Sequence, residues 1–218
     1  MVILLFGPPG CGKGTQAGLI ADRLGIPAIS TGEMFRAECR AGTPLGKLAC
    51  SIISQGGLVG DEIANQIVAG RIRRSDCRNG FLLDGYPRTV PQAVFLTELL
   101  RSQGIEPPVV IHLDVPAQAL VTRLAARRQC PACSRIYNLL SQPSVHDGRC
   151  DADGVTLIRR EDDREEVIRE RLKAYEDLTG PVMAYFGPSG LCRIDGALSP
   201  SRVSDQIDSA LQRQLIVS

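Results

Sequence analysis

Long hydrophobic runs are missing from this sequence of 218 residues. No stretch approaches the ~18 apolar residues of a membrane span. The opening Met1-Val2-Ile3-Leu4-Leu5-Phe6 has no basic leader or small-residue cleavage site and runs into glycines at once, which is too short for a signal peptide. The expectation is a cytoplasmic protein. An excess of either charge is missing too: 25 Lys and Arg face 24 Asp and Glu, for a net charge of +1. That excludes a protein that works by coating nucleic acid or an anionic membrane. Aromatic residues make up 4% of the chain and are not interleaved with basic ones, so a stacking platform for single strands is lacking. Lysine is scarce. Lys13, Lys47 and Lys173 apart, the basic residues are arginines, which make fixed, bidentate contacts to phosphate or carboxylate. Internal repeats and low-complexity tracts are absent. What remains is 44% hydrophobic and 22% charged, ordinary for a globular domain, at a length of one domain or one core with insertions.

Eight cysteines would suggest disulfides in a short secreted chain, and this chain is neither short nor visibly exported. Cys130, Cys133 and Cys150 fall close together. Cys11, Cys39, Cys50, Cys77 and Cys192 are scattered and read mostly as small apolar packing residues.

Strand-like and helix-like segments alternate. Residues 2–6 form a continuous apolar run before a glycine-rich turn, the pattern of a buried parallel strand. Helical spacing follows over 13–24, a short strand over 27–30, and three helices over 31–40, 44–55 and 61–74. Strands over 81–83 and 109–115 enclose a helix over 91–103. A helix over 117–128 leads into 130–155, which holds Pro131, Pro143, Gly148 and Gly154 and no helical period. Helix resumes over 162–185, then a strand over 191–194 and a helix over 201–215. The alternation implies a parallel sheet covered by helices on both faces, with the Cys-rich segment inserted in it.

Gly7-Pro8-Pro9-Gly10-Cys11-Gly12-Lys13-Gly14-Thr15 follows the first strand and opens the first helix, with the Gly-x4-Gly-Lys spacing of a P-loop. Glycines let backbone N–H groups converge on phosphate oxygens, the helix N-terminus adds its dipole, and the lysine reaches the outer phosphates. The residue after the lysine is Gly14, and the hydroxyl comes one place later at Thr15, so direct magnesium ligation is not supplied at the usual place. Cys11 lies beside Lys13 and a helix N-terminus, a setting that lowers a thiol pKa. Two expectations stand: a reactive thiol that ATP protects, or an inert buried one.

Residues 7–16 (GPPGCGKGTQ), 30–36 (STGEMFR), 76–89 (DCRNGFLLDGYPRT) and Gln92 together resemble the adenylate kinase family, of the bacterial type with a long lid. The resemblance runs from residue 2 to about residue 196. It implies a three-layer α/β P-loop core around a parallel five-stranded sheet, with core segments 1–29, 60–127 and 162–218. It implies two insertions: a helical monophosphate-binding segment over 30–59 and a zinc-binding lid over 128–161. It also implies the reaction ATP + AMP ⇌ 2 ADP, free nucleotides as partners, no nucleic acid or membrane partner, and a monomer.

Site residues follow from the resemblance taken with their chemistry. Asp84 ends a buried strand at the sheet edge where ligands of such folds sit, and would organise hydrated magnesium beside ATP, or else cap a helix. Gly10, Cys11, Gly12, Lys13, Gly14 and Thr15 are expected on the ATP phosphates. Arg123, Ile136, Tyr137 and Leu198 are expected about the donor base, and Arg127 on donor phosphates. Thr31, Gly57, Leu58, Val59, Gly85 and Gln92 are expected around AMP, and Arg36 on its phosphate. Arg88 bridges the nucleotides at the transferring group, and Arg160 and Arg171 reach the same region. The sequence places Arg123 and Arg127 at i and i+4 on one helix face. Asp162 and Asp163 are expected to pair with lid or core arginines, and Arg128, Arg159, Arg164 and Arg169 to be solvated.

Cys130-Pro131-Ala132-Cys133 is a C-x2-C pair, and after sixteen intervening residues Cys150-Asp151-Ala152-Asp153 repeats the spacing with Asp at the fourth place. Two such knuckles signal structural zinc, and carboxylate oxygen is an acceptable fourth ligand. Asp151 and His146 are rivals for that place but lack the spacing from Cys150. Alternatives to an ATP:AMP kinase are a monophosphate kinase of other base choice (GTP:AMP or UMP/CMP), a P-loop switch or sensor, and a zinc-ribbon nucleic-acid module.

Overall fold

The structure, a computed structural model, describes residues 1–187 and 191–217. Strand β1 (Val2–Phe6) is buried along its whole length. Its alternate side chains enter two separate cores, as the pleat requires: Val2, Leu4 and Phe6 on one face, Ile3 and Leu5 on the other. It pairs in parallel with β3 (Phe81–Asp84) on one side and β4 (Val109–Asp114) on the other. Strand β2 (Ala28–Ser30) borders β3, and β7 (Leu191–Asp195) borders β4, giving the parallel order β2-β3-β1-β4-β7.

Helices α1 (Lys13–Leu24), α6 (Ala117–Ala125) and α9 (Pro200–Val217) cover one face, with Ile20, Leu120 and Ile207 buried beneath them. The other face carries α4 (Asp61–Ile72), α5 (Val90–Ser102) and α8 (Gly180–Phe186), through Val68, Leu96 and Val182. The expected three-layer arrangement with a five-stranded parallel sheet is the observed one. Chain leaving β1 goes to β2 on one side, while chain leaving β3 goes to β4 on the other. The reversal opens a crevice at the carboxyl ends of β1 and β3, the usual ligand position of such sheets. No helix of the described residues is long and apolar enough to cross a membrane.

Helices α2 (Thr31–Ala41) and α3 (Pro44–Ile53) form a hairpin beside this crevice. Side-chain oxygens of Ser30 and Thr43 cap them, accepting from Glu33 N and Gly46 N. The helices approach closely at Gly46, where a side chain would meet the Glu38 carbonyl. Cys39 and Cys50 form a disulfide between the two helices, with Cα atoms 5.7 Å apart. This corrects the reading of these two as packing thiols: the hairpin brings residues eleven apart into register, which spacing alone does not reveal.

The helix expected to run to residue 128 stops at Ala125. Asn138 Nδ2 donates to the Arg123 carbonyl and Leu139 N to the Ala126 carbonyl, so tertiary partners satisfy the carbonyls that helix continuation would have used. Arg127 therefore heads strand β5 (Arg127–Gln129), antiparallel to β6 (Ile136–Asn138). Arg123 and Arg127 do not share a helix face. Likewise the stretch expected as helix over 162–185 divides into a short 3-10 turn (Glu161–Asp163), α7 (Glu165–Ala174), a π-helical turn (Tyr175–Thr179) and α8.

Candidate active site

The P-loop lies between β1 and α1. Gly7, Gly10 and Gly12 all have positive φ (147°, 85° and 103°), where an L side chain is strained. Gly12 starts α1 with no side-chain cap, so the first helical N–H groups are not covered by a side-chain acceptor, and an anion fits there. Lys13 Nζ donates to the carbonyls of Gly7 (2.5 Å) and Pro8 (3.0 Å). Gly14 and Thr15 form the first turn of α1.

Cys11 is 2% exposed, with Lys13 Nζ 3.6 Å from its sulfur. Burial pushes its thiol pKa up and outweighs the opposing pull of the lysine charge. Burial thus favours the second of the two expectations, the inert thiol. Alkylation of Cys11 near neutral pH is expected to run slower in the folded protein than in denaturant, since burial both shields the sulfur and lowers its thiolate fraction. ATP should not change that rate. Mass spectrometry of labelled peptides checks this, and rapid labelling blocked by ATP would contradict it.

Across the crevice, β3 ends at Asp84, and the loop after it carries Gly85, the cis Tyr86–Pro87 bond and Arg88. Gly85 has φ of 78°, and a Cβ there would lie 2.9 Å from Arg88 Nη2, so the loop needs glycine at that point. The Gly85 carbonyl accepts from both Thr31 Oγ1 (2.9 Å) and Arg88 Nε (2.8 Å). The Arg88 N–H donates to Gln92 Oε1 (2.8 Å), and its carbonyl accepts from Thr179 Oγ1 of the π-helical turn (3.1 Å). Thr31 and Gln92 are both buried. Gly57 N–H donates to the Ile52 carbonyl, and Leu58 and Val59 follow in the segment joining α3 to α4.

Two carboxylates gather the arginines. Glu33 Oε1 accepts from Arg36 Nη2 (2.6 Å) and Nε (3.0 Å) and from Arg160 Nη2 (2.8 Å). Burial alone would raise its carboxyl pKa, but Arg36 and Arg160 hold it below the usual range. Gln129 supports Arg160, accepting from its Nε at 2.6 Å. Fully buried Asp163 accepts a bidentate pair from Arg127 (2.7 and 2.5 Å) and a contact from Arg171 at 3.1 Å. Asp162 pairs with Arg171 at 3.0 Å. The expected pairing of these two acids with arginines is what is found. Arg159, read as solvated, also turns inward: its Nε donates to the Asp163 carbonyl at 3.0 Å. Arg164 and Arg169 make exposed ion pairs.

The guanidinium groups outnumber their partners, and the electrostatics register it. Burial, then Arg171, push Arg88 down to about 10. Burial, then Arg36 and Arg127, push Arg160 down to about 9. Burial lowers Arg171 as well. Each direction means that the cationic form is disfavoured as things stand. Anionic oxygens entering the cluster would offset that cost.

On the opposite rim, Arg123 donates to the carbonyls of Gly196 (2.9 Å) and Ala197 (3.3 Å), which places it beside the loop that bears Leu198. Ile136 is exposed on β6. The Tyr137 side chain instead turns into the lid, where its hydroxyl donates to Cys150 Sγ (3.3 Å) and accepts from Asp151 N (2.8 Å). Any role of Tyr137 toward a nucleotide falls to its backbone.

The residues expected to hold zinc converge. One ligand atom from each of Cys130, Cys133, Cys150 and Asp153 lies within 4.8 Å of all the others. Cys133 and Cys150 sulfurs are 3.5 Å apart, and Cys130 Sγ is 3.2 Å from Asp153 Oδ2. Edges of about 3.5–3.8 Å are those of a tetrahedron with Zn–S bonds of about 2.3 Å, so the donor set and its spacing fit zinc. The rivals are elsewhere: Asp151 Oδ1 accepts from Val145 N, and His146 is outside the cluster.

Glu33 and Gln129, which tie the α2–α3 hairpin to the start and end of the Cys-rich segment, are not singled out by the sequence. Glu33 had a signal, being three residues before Arg36 on one helix. Gln129 had none.

Comparison with known proteins agrees with this geometry. The family model for adenylate kinase matches residues 5–191. An adenylate kinase of Trichlorobacter lovleyi is 46% identical over 212 residues, covering 97% of this chain and 99% of its own. One of Thermosipho africanus is 44% identical over 214 residues, covering 98% and 100%. One of Thermotoga neapolitana is 45% identical over 210 residues, covering 95% and 96%.

Proposed function

Since the chain belongs to the adenylate kinase family, and is thereby an ATP:AMP phosphotransferase that interconverts ATP plus AMP with two ADP, we propose the following division of work among its residues. The switch and zinc-ribbon readings give way to this one. Gly10, Cys11, Gly12, Lys13, Gly14 and Thr15 hold the ATP phosphates through backbone N–H groups and the lysine charge. Arg123, Ile136, Leu198 and the backbone at Tyr137 border the donor base. Thr31, Gly57, Leu58, Val59, Gly85 and Gln92 hold AMP, and Arg36 its phosphate. An AMP phosphate oxygen attacks the terminal phosphorus of ATP, the bond to the bridging oxygen breaks, and ADP leaves. Arg88, Arg127, Arg160 and Arg171 neutralise the charge that spreads over the transferring group.

The observation that carries this reading is the pair of arginine clusters, each on one carboxylate. Arg36 and Arg160 meet on Glu33, and Arg127 and Arg171 on Asp163, although they come from four separate stretches of chain. A binding switch for one nucleotide has no need of them.

Magnesium bound with ATP supplies neutralisation of the outer phosphate oxygens. Asp84 fits it: half-buried at the end of β3, in register with Leu5 one residue before the end of β1, it would hold the ion through water. Zinc in the Cys130, Cys133, Cys150 and Asp153 cluster is structural, with four protein ligands and no open place. Segment 30–59 and lid 128–161 act as two covers on the core, and their closure excludes water as a phosphoryl acceptor. We take the enzyme to be a cytoplasmic monomer acting on free nucleotides, with neither nucleic acid nor membrane as partner. Its net charge of +1 suits that role.

A coupled assay tests the reading. Rapid ADP formation is expected with ATP plus AMP, and at least about a thousandfold less phosphate release with ATP alone. Hydrolysis at equal rate without AMP would overturn it.

A further inference from the structure

The Gln92 side-chain amide is held at both ends. Its Nε2 donates to Asp61 Oδ1 at 2.7 Å, and its Oε1 accepts from the Arg88 backbone N–H at 2.8 Å. An ionised carboxylate can only accept and a backbone N–H can only donate. A Gln92 amide turned end for end would set oxygen against carboxylate and NH2 against N–H, in a site where Gln92 is 2% exposed. Buried mismatches of that kind are costly.

Asp61 is itself fixed. It opens α4, where a helix N-terminus favours negative charge, and its Oδ2 accepts from Thr89 Oγ1 at 3.0 Å. Thr89 in turn caps α5, its hydroxyl accepting from Gln92 N at 3.3 Å. The three side chains form one closed set across the starts of two helices.

We propose that Asp61 is a specificity-determining positioning residue, which fixes the orientation of the Gln92 amide and so selects a 6-aminopurine acceptor over a 6-oxopurine. This rests on the reading of Gln92 as the contact to the acceptor base. An amide has two N–H donors and two oxygen lone pairs. Asp61 and Arg88 take one of each, and one N–H and one lone pair are left in a fixed order. That order matches a base edge with a ring-nitrogen acceptor beside an amino donor, as in AMP. A base with a ring N–H beside a carbonyl, as in IMP, needs the reverse order. Arg36 reads phosphate and is blind to the difference.

The test compares kcat/KM for AMP and IMP, with ATP as donor, in the unsubstituted enzyme, Asp61→Asn and Gln92→Ala. Asn at this position both donates and accepts, so it releases the lock while keeping size. Asp61→Asn is expected to lower the AMP-over-IMP ratio about tenfold, within the range set by one bidentate base contact, with the KM for ATP unchanged. Asp61→Ser has the same dual hydrogen bonding and replaces Asp61→Asn should that variant fail to fold. Gln92→Ala is expected to collapse the ratio. If it collapses while Asp61→Asn leaves the ratio within twofold, or lowers both acceptors equally, the proposal is overturned and Asp61 is only a tie between helices. If Gln92→Ala leaves the ratio intact, the base-contact reading fails, and the proposal with it.

Discussion

Replacing Arg88 by alanine is expected to lower kcat by about 10²–10³, the loss typical of one preorganised charge contact to a transition state. The fold should survive, for a reason visible in the hydrogen bonds. Arg88 contributes to the architecture through its backbone: the N–H holds Gln92 and the carbonyl accepts from Thr179. Among the described residues its guanidinium makes one intramolecular bond, to the Gly85 carbonyl. Burial and Arg171 disfavour the charge, pushing its pKa down to about 10. Removing it relieves the neighbouring arginines, so the melting temperature should hold steady or rise while activity collapses. Steady-state kinetics and a thermal melt on the same sample check both halves. Near-normal kcat in Arg88→Ala would remove Arg88 from the phosphoryl bridge. A large fall in melting temperature would show that the side chain serves the fold.

The contrast between what the sequence shows and what it hides follows from chain separation. The P-loop and the loop from Asp84 to Arg88 were legible because their chemistry lies in contiguous residues, after strands marked by unbroken apolar runs. The cluster of Cys130, Cys133, Cys150 and Asp153 was legible because each knuckle is a four-residue motif with fixed spacing. Arg127 was misplaced because local propensity favours helix through residue 128, and the partners that end it, Asn138 and Leu139, come later and belong to another element. Glu33 and Arg160 are 127 residues apart, a distance over which no periodicity speaks. Asp61 stood out only as the first residue of the helix expected over 61–74. Its function depends on meeting Gln92, 31 residues on, which only the packing of α4 against α5 brings about. Cys11 was ambiguous because the lysine and the burial act in opposite directions, and their balance is set by the core around it.

Loss of zinc should unfold the lid and leave the core standing. The lid has a buried cluster of four residues, Cys130, Tyr137, Cys150 and Leu157, and two of these are proposed ligands. Its other large apolar side chains face water: Leu140 is 69% and Val145 84% exposed. So small a cluster cannot offset the entropy of ordering some thirty residues at roughly 1–2 kcal/mol each, and the metal must make up the difference, as it does in other small metal-folded units. We expect one zinc per chain by metal analysis. A strong chelator should bring out an early unfolding step ahead of the main transition, which reports the sheet and its helices. Transfer should fall with the early step, because the root of the lid carries Arg127 and Arg160. Cys150→Ser is expected to lose the metal, since it also breaks the tie from Tyr137 that orders the second knuckle. Asp153→Ala is expected to weaken binding by a smaller factor, because Asp153 is exposed and water can take its place. Binding should also weaken as pH falls, since zinc competes with protons for the three thiolates. Protein that contains no zinc, melts in one unaltered step under chelator and shows freely titrating thiols at all three cysteines would sink the assignment.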